Sequence, residues 1–271
     1  MVYETQRWEH ILVSWIRLSI LLFTLVSVLA GCAALPPGRT PDPHDPFERY
    51  NRAAFSFNDV VDRAVLKPVS QAYRAVTPVL LQRGIANFFG NLSDVPTALN
   101  DILQGKPKMA ATHVGRFAVN STFGLLGIFD IATPMGMSRQ REDFGQTLGT
   151  WGFGSGPYLV LPILGPSSVR DTFGTAIDIG LDPLIHVKDG DWRLGLVGLR
   201  VIQQRAALLD PEKTLKSIEL DPYLFIRDAY LSRRRNNVYD GNPPEPKEER
   251  GQELRPGDEP ISAPQESLKP E

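Results

Sequence analysis

The stretch DPFERYNRAAFSFNDVVDRA, residues 45–64, decides the fold of this chain, because it begins as a helix and carries one continuous apolar face. Asp45, Pro46 and Glu48 form a helix-start signal, with a capping aspartate, a proline at the first helical position and a glutamate three residues after the cap. Apolar residues then recur at intervals of three and four, at Phe47, Tyr50, Ala54, Phe57, Val61 and Ala64. That spacing predicts an amphipathic helix.

Similar periodicity recurs downstream and predicts further helices, at residues 81–88, from a Ser93 start to Leu103, and at 109–117, 169–177 and 192–206. Gly90 and Gly105 stand where helix-ending glycines belong. No pair of alternating segments joined by a tight turn stands out. We therefore expect an all-α fold, a single helical domain over residues 46–240 with little or no sheet.

Two connecting stretches are more apolar than the connectors of soluble proteins usually are. They read FGLLGIFDIATPMGM at residues 123–137 and GSGPYLVLPILGPSS at residues 154–168. Connectors normally run over a watery surface, because their backbone groups need hydrogen-bond partners. These two stretches therefore either pack inside the protein, as a buried loop or short strand, or face lipid instead of water.

The amino terminus looks like an export signal that ends in a lipid attachment site. An apolar run of 13 residues, Leu18–Ala30, follows Arg17 and is shorter than the roughly 20 residues of a membrane span. Leu29-Ala30-Gly31-Cys32 resembles the bacterial lipobox and contains the only cysteine of the chain. We expect residues 1–31 to be removed and Cys32 to be acylated; a chance cysteine after an ordinary signal, or an uncleaved anchor, is the alternative.

Composition divides the rest of the chain into a tether, a body and a tail. Residues 32–45 are rich in proline and predict an extended tether. Residues 241–271 contain seven prolines, eight acidic residues, four basic residues and no aromatic residue, which predicts a disordered tail. The tail has a charge of 4 − 8 = −4, so the body from residue 32 to 240 has −2 + 4 = +2. So small a charge argues against a nucleic-acid partner.

The sequence offers no convincing catalytic or metal site. GFGSGP around Ser155 fails the G-x-S-x-G pattern of a hydrolase nucleophile. The four histidines have no metal-ligand spacing, and no P-loop is present. We therefore predict no enzyme activity, no metal, and no cofactor other than covalent lipid on Cys32. A membrane-bound lipase is the rival interpretation.

Four blocks of the chain closely resemble the successive blocks of one family, the MlaA/VacJ outer-membrane lipoproteins. They are DPFERYNRAAFSFNDVVDRAVLKPVSQAYR, RGIANFFGNLSDVPTALNDILQGK, RFAVNSTFGLLGIFDIAT and EDFGQTLGTWGFGSGPYLVLPILGPSSVRDTFG. The likeness runs from about Asp45 to about Tyr239, and the block from residue 142 to 174 is the most specific. The signal and the tail lie outside it.

The resemblance implies a ring-like helical body in the outer membrane of a Gram-negative bacterium, with interfacial amphipathic helices around an amphipathic pore. It implies three partners: phospholipid, a trimeric porin, and a soluble periplasmic carrier that serves an ABC transporter. The implied task is removal of phospholipid from the outer leaflet, which maintains lipid asymmetry. Ala33 follows the cysteine, in place of the aspartate that resembles an inner-membrane retention signal, and this also favours the outer membrane. A structural adaptor that binds porin without carrying lipid is the alternative.

A pore that passes a lipid headgroup needs polar side chains, and five residues are candidates for this lipid path. Asn51, Asn58 and Asp59 lie away from the apolar stripe of the first helix. Arg116 and Asn120, four residues apart, either meet a lipid phosphate or hydrogen-bond the adjacent loop.

Glycine and proline punctuate the second apolar stretch and suggest a gating loop. Its candidate residues are Gly156, Pro157, Pro162, Gly165 and Pro166. Proline stiffens a loop and glycine loosens it, so the pattern fits a rigid shaped loop as well as a hinge.

Other charged residues have no assigned role at this stage. Asp178 and Asp182 share a helix face, but capping near Gly180 and Pro183 is the simpler explanation. The basic run at residues 233–235 fits either anionic headgroups or a solvated helix end.

Overall fold

A computed structural model describes residues 45–215 and 221–244. The predicted signal, nearly all of the tether and the tail beyond residue 244 lie outside the described residues, so their assignments stay predictions.

The described chain is helical apart from one short hairpin, as the sequence predicts. The α-helices are α1 Glu48–Val61, α2 Lys67–Val76, α3 Val79–Leu103, α4 Pro107–Thr122, α5 Phe144–Thr150, α6 Val169–Leu181, α7 Gly190–Ala207, α8 Leu209–Leu215 and α9 Pro222–Val238. A π-helical turn, Asp62–Leu66, joins α1 to α2, and a 3₁₀ turn, Pro183–His186, follows α6. The strands are β1 Tyr158–Leu161 and β2 Gly165–Ser168.

The first helix begins differently from its prediction. Glu48 is the first helical residue, and no side chain caps α1. The Asp45 carboxylate instead accepts hydrogen bonds from the Asn51 amide and the Tyr223 hydroxyl. The predicted cap was wrong because the aspartate is drawn into the interior, where it ties the start of the body to α9.

The longest helix, α3, runs through both of the predicted breaks. Gly90 does not end a helix and Ser93 does not start one, because the 25 residues of α3 also continue past Pro96. Ser93 donates its hydroxyl to the carbonyl of Phe89 one turn earlier. Packing along the whole length of α4 outweighs the local breakers. Gly105 does end α3, with a φ of 73°, as predicted.

The hairpin occupies the second apolar connector. β1 and β2 pair antiparallel, with Tyr158 opposite Ser168 and Leu161 opposite Gly165. The base of the hairpin is buried and joins the main apolar cluster, which contains Ala54, Tyr158, Val160 and Tyr223. The tip, at Ile163 and Leu164, is exposed.

Helices α5 and α6 pack against each other, and α6 also packs against β2. A β-carbon on Gly174 of α6 would lie 2.4 Å from the backbone nitrogen of Gly145 in α5, so only glycine allows this approach. Asp143 caps α5 and Ser168 caps α6. The two caps place the Asp143 carboxylate and the end of β2 beside a polar cleft.

Candidate functional site

The interior of this protein is unusually polar. Of the described residues, nineteen polar or charged ones are buried and only twelve apolar ones. Water-soluble proteins bury mainly apolar residues, and they leave Asp, Glu and Arg inside only when these are paired. The largest fully buried side chain here is Arg116.

The surface is correspondingly apolar. Large apolar side chains stand exposed along the helices as well as in loops, and they include Val76, Leu80, Phe173, Trp192 and Leu194. The first apolar connector joins them, with Phe123 73% and Leu126 69% exposed. Apolar surface of this extent, spread over many elements, marks contact with lipid or with another protein. Within the described ranges, none of the helices combines the length and the hydropathy that crossing a bilayer requires.

Two of the candidate lipid-path residues hold the hairpin. The Asn51 carboxamide donates to the carbonyl of Tyr158 at 3.0 Å and accepts from the amide of Val160 at 2.8 Å. Asn58 is partly buried and forms the same pair of bonds further along the strand. Since Asn51 is fully buried, its polar atoms serve the fold. The third candidate on α1, Asp59, has a side chain that is 44% exposed and pairs with Arg63.

Arg116 and Asn120 on α4 hold the first apolar connector. Of the two alternatives for this pair, the structure shows hydrogen bonds to the adjacent loop. The Asn120 carbonyl oxygen accepts from the amides of Ile131 at 2.8 Å and Ala132 at 2.9 Å. Arg116 donates to both oxygens of Asp130, each at 3.2 Å.

The carboxylate of Asp130 completes this network. Burial by itself raises the pKa of Asp130, but hydrogen bonds from Thr133 and Asn120 and the charge of Arg116 lower it to about 2. The network keeps the backbone of the connector satisfied while its apolar side chains point outward.

A second ion pair explains the glycine in the middle of α3. Arg139 reaches across to Asp94 with two bonds, at 3.0 and 3.1 Å. A β-carbon on Gly90 would lie 2.2 Å from the Arg139 guanidinium. Gly90 therefore leaves room for the Arg139 guanidinium, and the sequence pattern misread this glycine as a helix end.

The glycines of the candidate gating loop both have positive φ. Gly156 stands before β1 with a φ of 68°, and Gly165 opens β2 with a φ of 87°. The three prolines flank the strands: Pro157 precedes β1, Pro162 follows it, and Pro166 lies within β2. The loop is therefore a shaped hairpin, and glycine is favoured at these two left-handed positions.

A polar cleft of about 300 Å³ lies beside the hairpin, and sequence reasoning did not predict it. Its lining comes from three helices and β2, and it includes four carboxylates, one arginine and one tyrosine: Asp143, Asp171, Asp178, Asp182, Arg234 and Tyr230. Asp143 and Arg234 are 91 residues apart in sequence. Of these residues, the sequence had singled out Asp178 and Asp182 for capping and Arg234 as part of the basic run, without indicating that they meet.

Arg234, from the basic run, neutralises part of this cleft. It donates to Asp143 and, at 3.0 Å, to Asp171. Burial alone would raise the pKa of both carboxyl groups, but the Arg234 guanidinium keeps each pKa below its ordinary value. Of the two explanations for the basic run, neither describes Arg234, which is an internal ion-pair partner.

Asp178 takes its hydrogen bonds from two uncharged groups. It accepts from the amide of Phe144 at 3.0 Å and from the Asn100 amide at 3.4 Å. Burial, and less strongly the charge of Asp143, raises the pKa of Asp178 to about 6. It therefore has a role beyond the capping proposed for it, whereas Asp182 does cap the 3₁₀ turn.

Residues with possible chemistry are engaged in the fold. His113 is buried between the Asp101 carboxylate, at 2.6 Å, and the amide of Gln140, at 3.3 Å. No group of three or more His, Cys, Asp or Glu that could hold a metal is found in the described ranges 45–215 and 221–244.

Comparison with known proteins gives one consistent relationship. A model of the MlaA lipoprotein family matches residues 43–237. The intermembrane phospholipid transport system lipoprotein MlaA of Escherichia coli is 36% identical over 225 residues, which cover 80% of this chain and 87% of the relative. The protein of the same name from Haemophilus influenzae is 32% identical over 235 residues, covering 84% of this chain and 94% of the relative.

A solved structure, described as the structural basis for maintenance of bacterial outer membrane lipid asymmetry, shares the fold. It superimposes with a TM-score of 0.63 at 34% identity and covers 73% of this chain and 99% of the solved one. An uncharacterised protein of Rickettsia typhi is also 34% identical, over 72% of this chain and 78% of its own length. The family match spans the whole helical body described above, and the chain therefore belongs to the MlaA lipoprotein family.

Proposed function

We propose that this protein removes mislocalised phospholipid from the outer leaflet of the outer membrane and passes it, through an amphipathic pore, to a soluble periplasmic carrier. The observation that carries this proposal is the reversed polarity, with buried charges and asparagines inside and large apolar side chains outside. The named activity of the relatives, intermembrane phospholipid transport, supports it.

The reversed polarity suits the physical problem of moving a phospholipid. Its headgroup needs a polar path, because burying an unpaired charge in hydrocarbon is costly. Its acyl chains need an apolar surface throughout. A helical body with a satisfied polar interior and an apolar exterior provides both, and its own backbone groups stay paired. The chain has no P-loop, so the energy for uphill movement comes from another component.

The anchor and the partners follow from the same proposal. Acylation of Cys32 places the body within the short tether's reach of the bilayer, because several acyl chains together give stable attachment. A trimeric outer-membrane porin holds the body in place, and an inner-membrane ABC transporter draws lipid from the carrier.

Within this scheme the candidate residues have different tasks. Asp59 contributes an exposed charge to the lipid path. Asn51, Arg116 and Asn120, which are buried, position the segments around the path. The hairpin formed by residues 158–168 is the gate, and its exposed tip meets the acyl chains.

Reconstitution tests the proposal against its alternatives. The full-length acylated protein is placed with porin in vesicles that carry labelled phospholipid in the outer leaflet, and the carrier is added. Transfer of label to the carrier above the level with porin alone is expected. No such transfer would indicate a structural adaptor, and release of free fatty acid would indicate a lipase.

A further inference from the structure

The outer edge of β1 is covered in an unusual way. One edge of β1 pairs with β2, and a strand edge left open exposes unpaired backbone groups. Here Asn51 of α1 takes those groups, and a second asparagine, Asn58, holds the turn that follows β1. Asn51 bridges the carbonyl of Tyr158 and the amide of Val160.

Asn58 makes a similar bridge where β1 ends and the turn begins. Its amide donates to the carbonyl of Leu161 at 2.9 Å, and its oxygen accepts from the amide of Ile163 at 2.6 Å. Each carboxamide thus bridges a carbonyl and the amide two residues further on. A neighbouring β-strand would offer the same donor and acceptor at Tyr158 and Val160, so Asn51 replaces a missing strand there. Asn58 instead ties the end of β1 to the turn, because Ile163 lies beyond the strand.

The spacing of the two asparagines matches the strand. Seven residues of helix rise about 10.5 Å, at roughly 1.5 Å per residue. The two bridged sites are three residues apart on the strand, which is about 10 Å at roughly 3.3 Å per residue. Since neighbouring helix positions differ by about 100° in direction, a shift of one residue in α1 would turn both asparagines away and remove both bridges. The register of α1 therefore fixes the position of the hairpin.

The two bridges differ in how easily they can open. Asn51 is fully buried and also bonds to Asp45. Asn58 is only partly buried, and its partner Ile163 is 70% exposed at the hairpin tip. Ile163 also has a φ of 69°, which is strained for a β-branched residue. Opening of the Asn58 bridge would relieve this backbone strain, whereas the Asn51 bridge holds no strained residue.

We propose that Asn58 is a releasable latch and Asn51 a fixed hinge, so that opening of the Asn58 bridge lifts the hairpin tip and admits lipid. This proposal rests on the proposed function, in which the hairpin borders the lipid path. It makes Asn58 a positioning residue, because it acts on lipid through the hairpin.

The latch is tested by hydrogen exchange on the full-length protein in lipid nanodiscs. In the Asn58→Ala variant, the amide of Ile163 loses its acceptor, and its exchange rate is expected to rise roughly tenfold. Asn58→Asp keeps an acceptor for that amide but cannot donate to Leu161, so its rate should lie between those of the wild type and the alanine variant. Ser56→Ala, an exposed position on the same helix, is the matched control and should not change the rate.

The gating role is tested by the vesicle-to-carrier transfer assay with the same variants at equal protein level. Asn58→Ala is expected to raise the initial rate of lipid transfer, with Asn58→Asp in between and Ser56→Ala like the wild type. An unchanged exchange rate in Asn58→Ala would overturn the latch. Faster exchange with unchanged or slower transfer would overturn gating. If the wild type itself moves no lipid, the proposed function fails together with gating, while the exchange rates still decide whether the latch exists.

Discussion

The raised pKa of Asp178 makes a quantitative prediction about stability. Its carboxyl group titrates near 6 in the folded protein, against about 3.9 in an unfolded chain. Folding therefore favours the protonated form. The stabilisation that this form provides is fully present below about pH 4 and is lost as the pH rises through about 6.

The size of the effect follows from the shift. About two pKa units correspond to roughly 3 kcal/mol as an upper limit. The cleft is open to water, which reduces the cost of the charge, so we expect about 1 to 2 kcal/mol at pH 7.5. An Asp178→Asn variant removes the charge and keeps an oxygen that accepts from the Phe144 amide and from Asn100.

The assay is denaturant unfolding in detergent, compared at pH 4.5 and 7.5. The variant should be more stable than the wild type by that amount at pH 7.5, and the difference should shrink towards zero at pH 4.5. Asp191→Asn, an exposed position at the start of α7, is the control and should change stability by less than about 0.5 kcal/mol. A less stable Asp178→Asn variant at pH 7.5, or a gain that does not depend on pH, would refute the reasoning.

Three further substitutions test the packing and the buried charges. Gly174→Ala should destabilise the protein by about 3 kcal/mol or more, because its new methyl group meets the backbone of α5. Gly180→Ala on the same helix has open space around the new methyl group and should be neutral or slightly stabilising. Thermal unfolding measures both variants, and equal effects would contradict the close approach of α5 and α6. Arg234→Met should cost about 3 to 5 kcal/mol, because it leaves Asp143 without its ion-pair partner and Asp171 with Arg170 as its remaining cation. The exposed neighbour Arg233→Met should cost little, and a similar loss for both would argue against the internal ion pairs. Asn120→Ala should lower the free energy of unfolding by about 2 to 4 kcal/mol, because it leaves two loop amides unpaired. Proteolysis should then cut the first apolar connector sooner. An unchanged cleavage rate would count against the role of Asn120 in holding that connector.

The sequence predicted most helices, because a 3.6-residue period needs only local information. It also predicted the end of α3 at Gly105, where a left-handed residue is required. It misread Gly90, where the side chain that passes close is Arg139, a residue 49 positions away. The hairpin was only an open alternative, because its strands are four residues long and the open edge of β1 is completed by Asn51 from α1.

The residues that line the cleft could not be predicted from the sequence for the same reason. Asp143, Asp171 and Arg234 come from separate helices, and nothing in their local sequence indicates that they meet. The basic run gave no means of choosing Arg234 over its two neighbours. Only the packing of α9 against α5 turns one arginine of the run inward.

The sequence alone was enough for the helical class and the family likeness, because each depends on local pattern or on matched order along the chain. The signal and the lipid attachment site at Cys32 stay predictions. Tertiary structure decided which face of each helix lies inside. Periodicity identifies an apolar face but not what that face contacts, and here apolar residues such as Phe173 and Trp192 are 67% and 71% exposed while Asn51 and Arg116 are buried. In a protein that meets lipid, the apolar face can turn outward, and only the folded arrangement of buried hydrogen-bond partners reveals that it has done so.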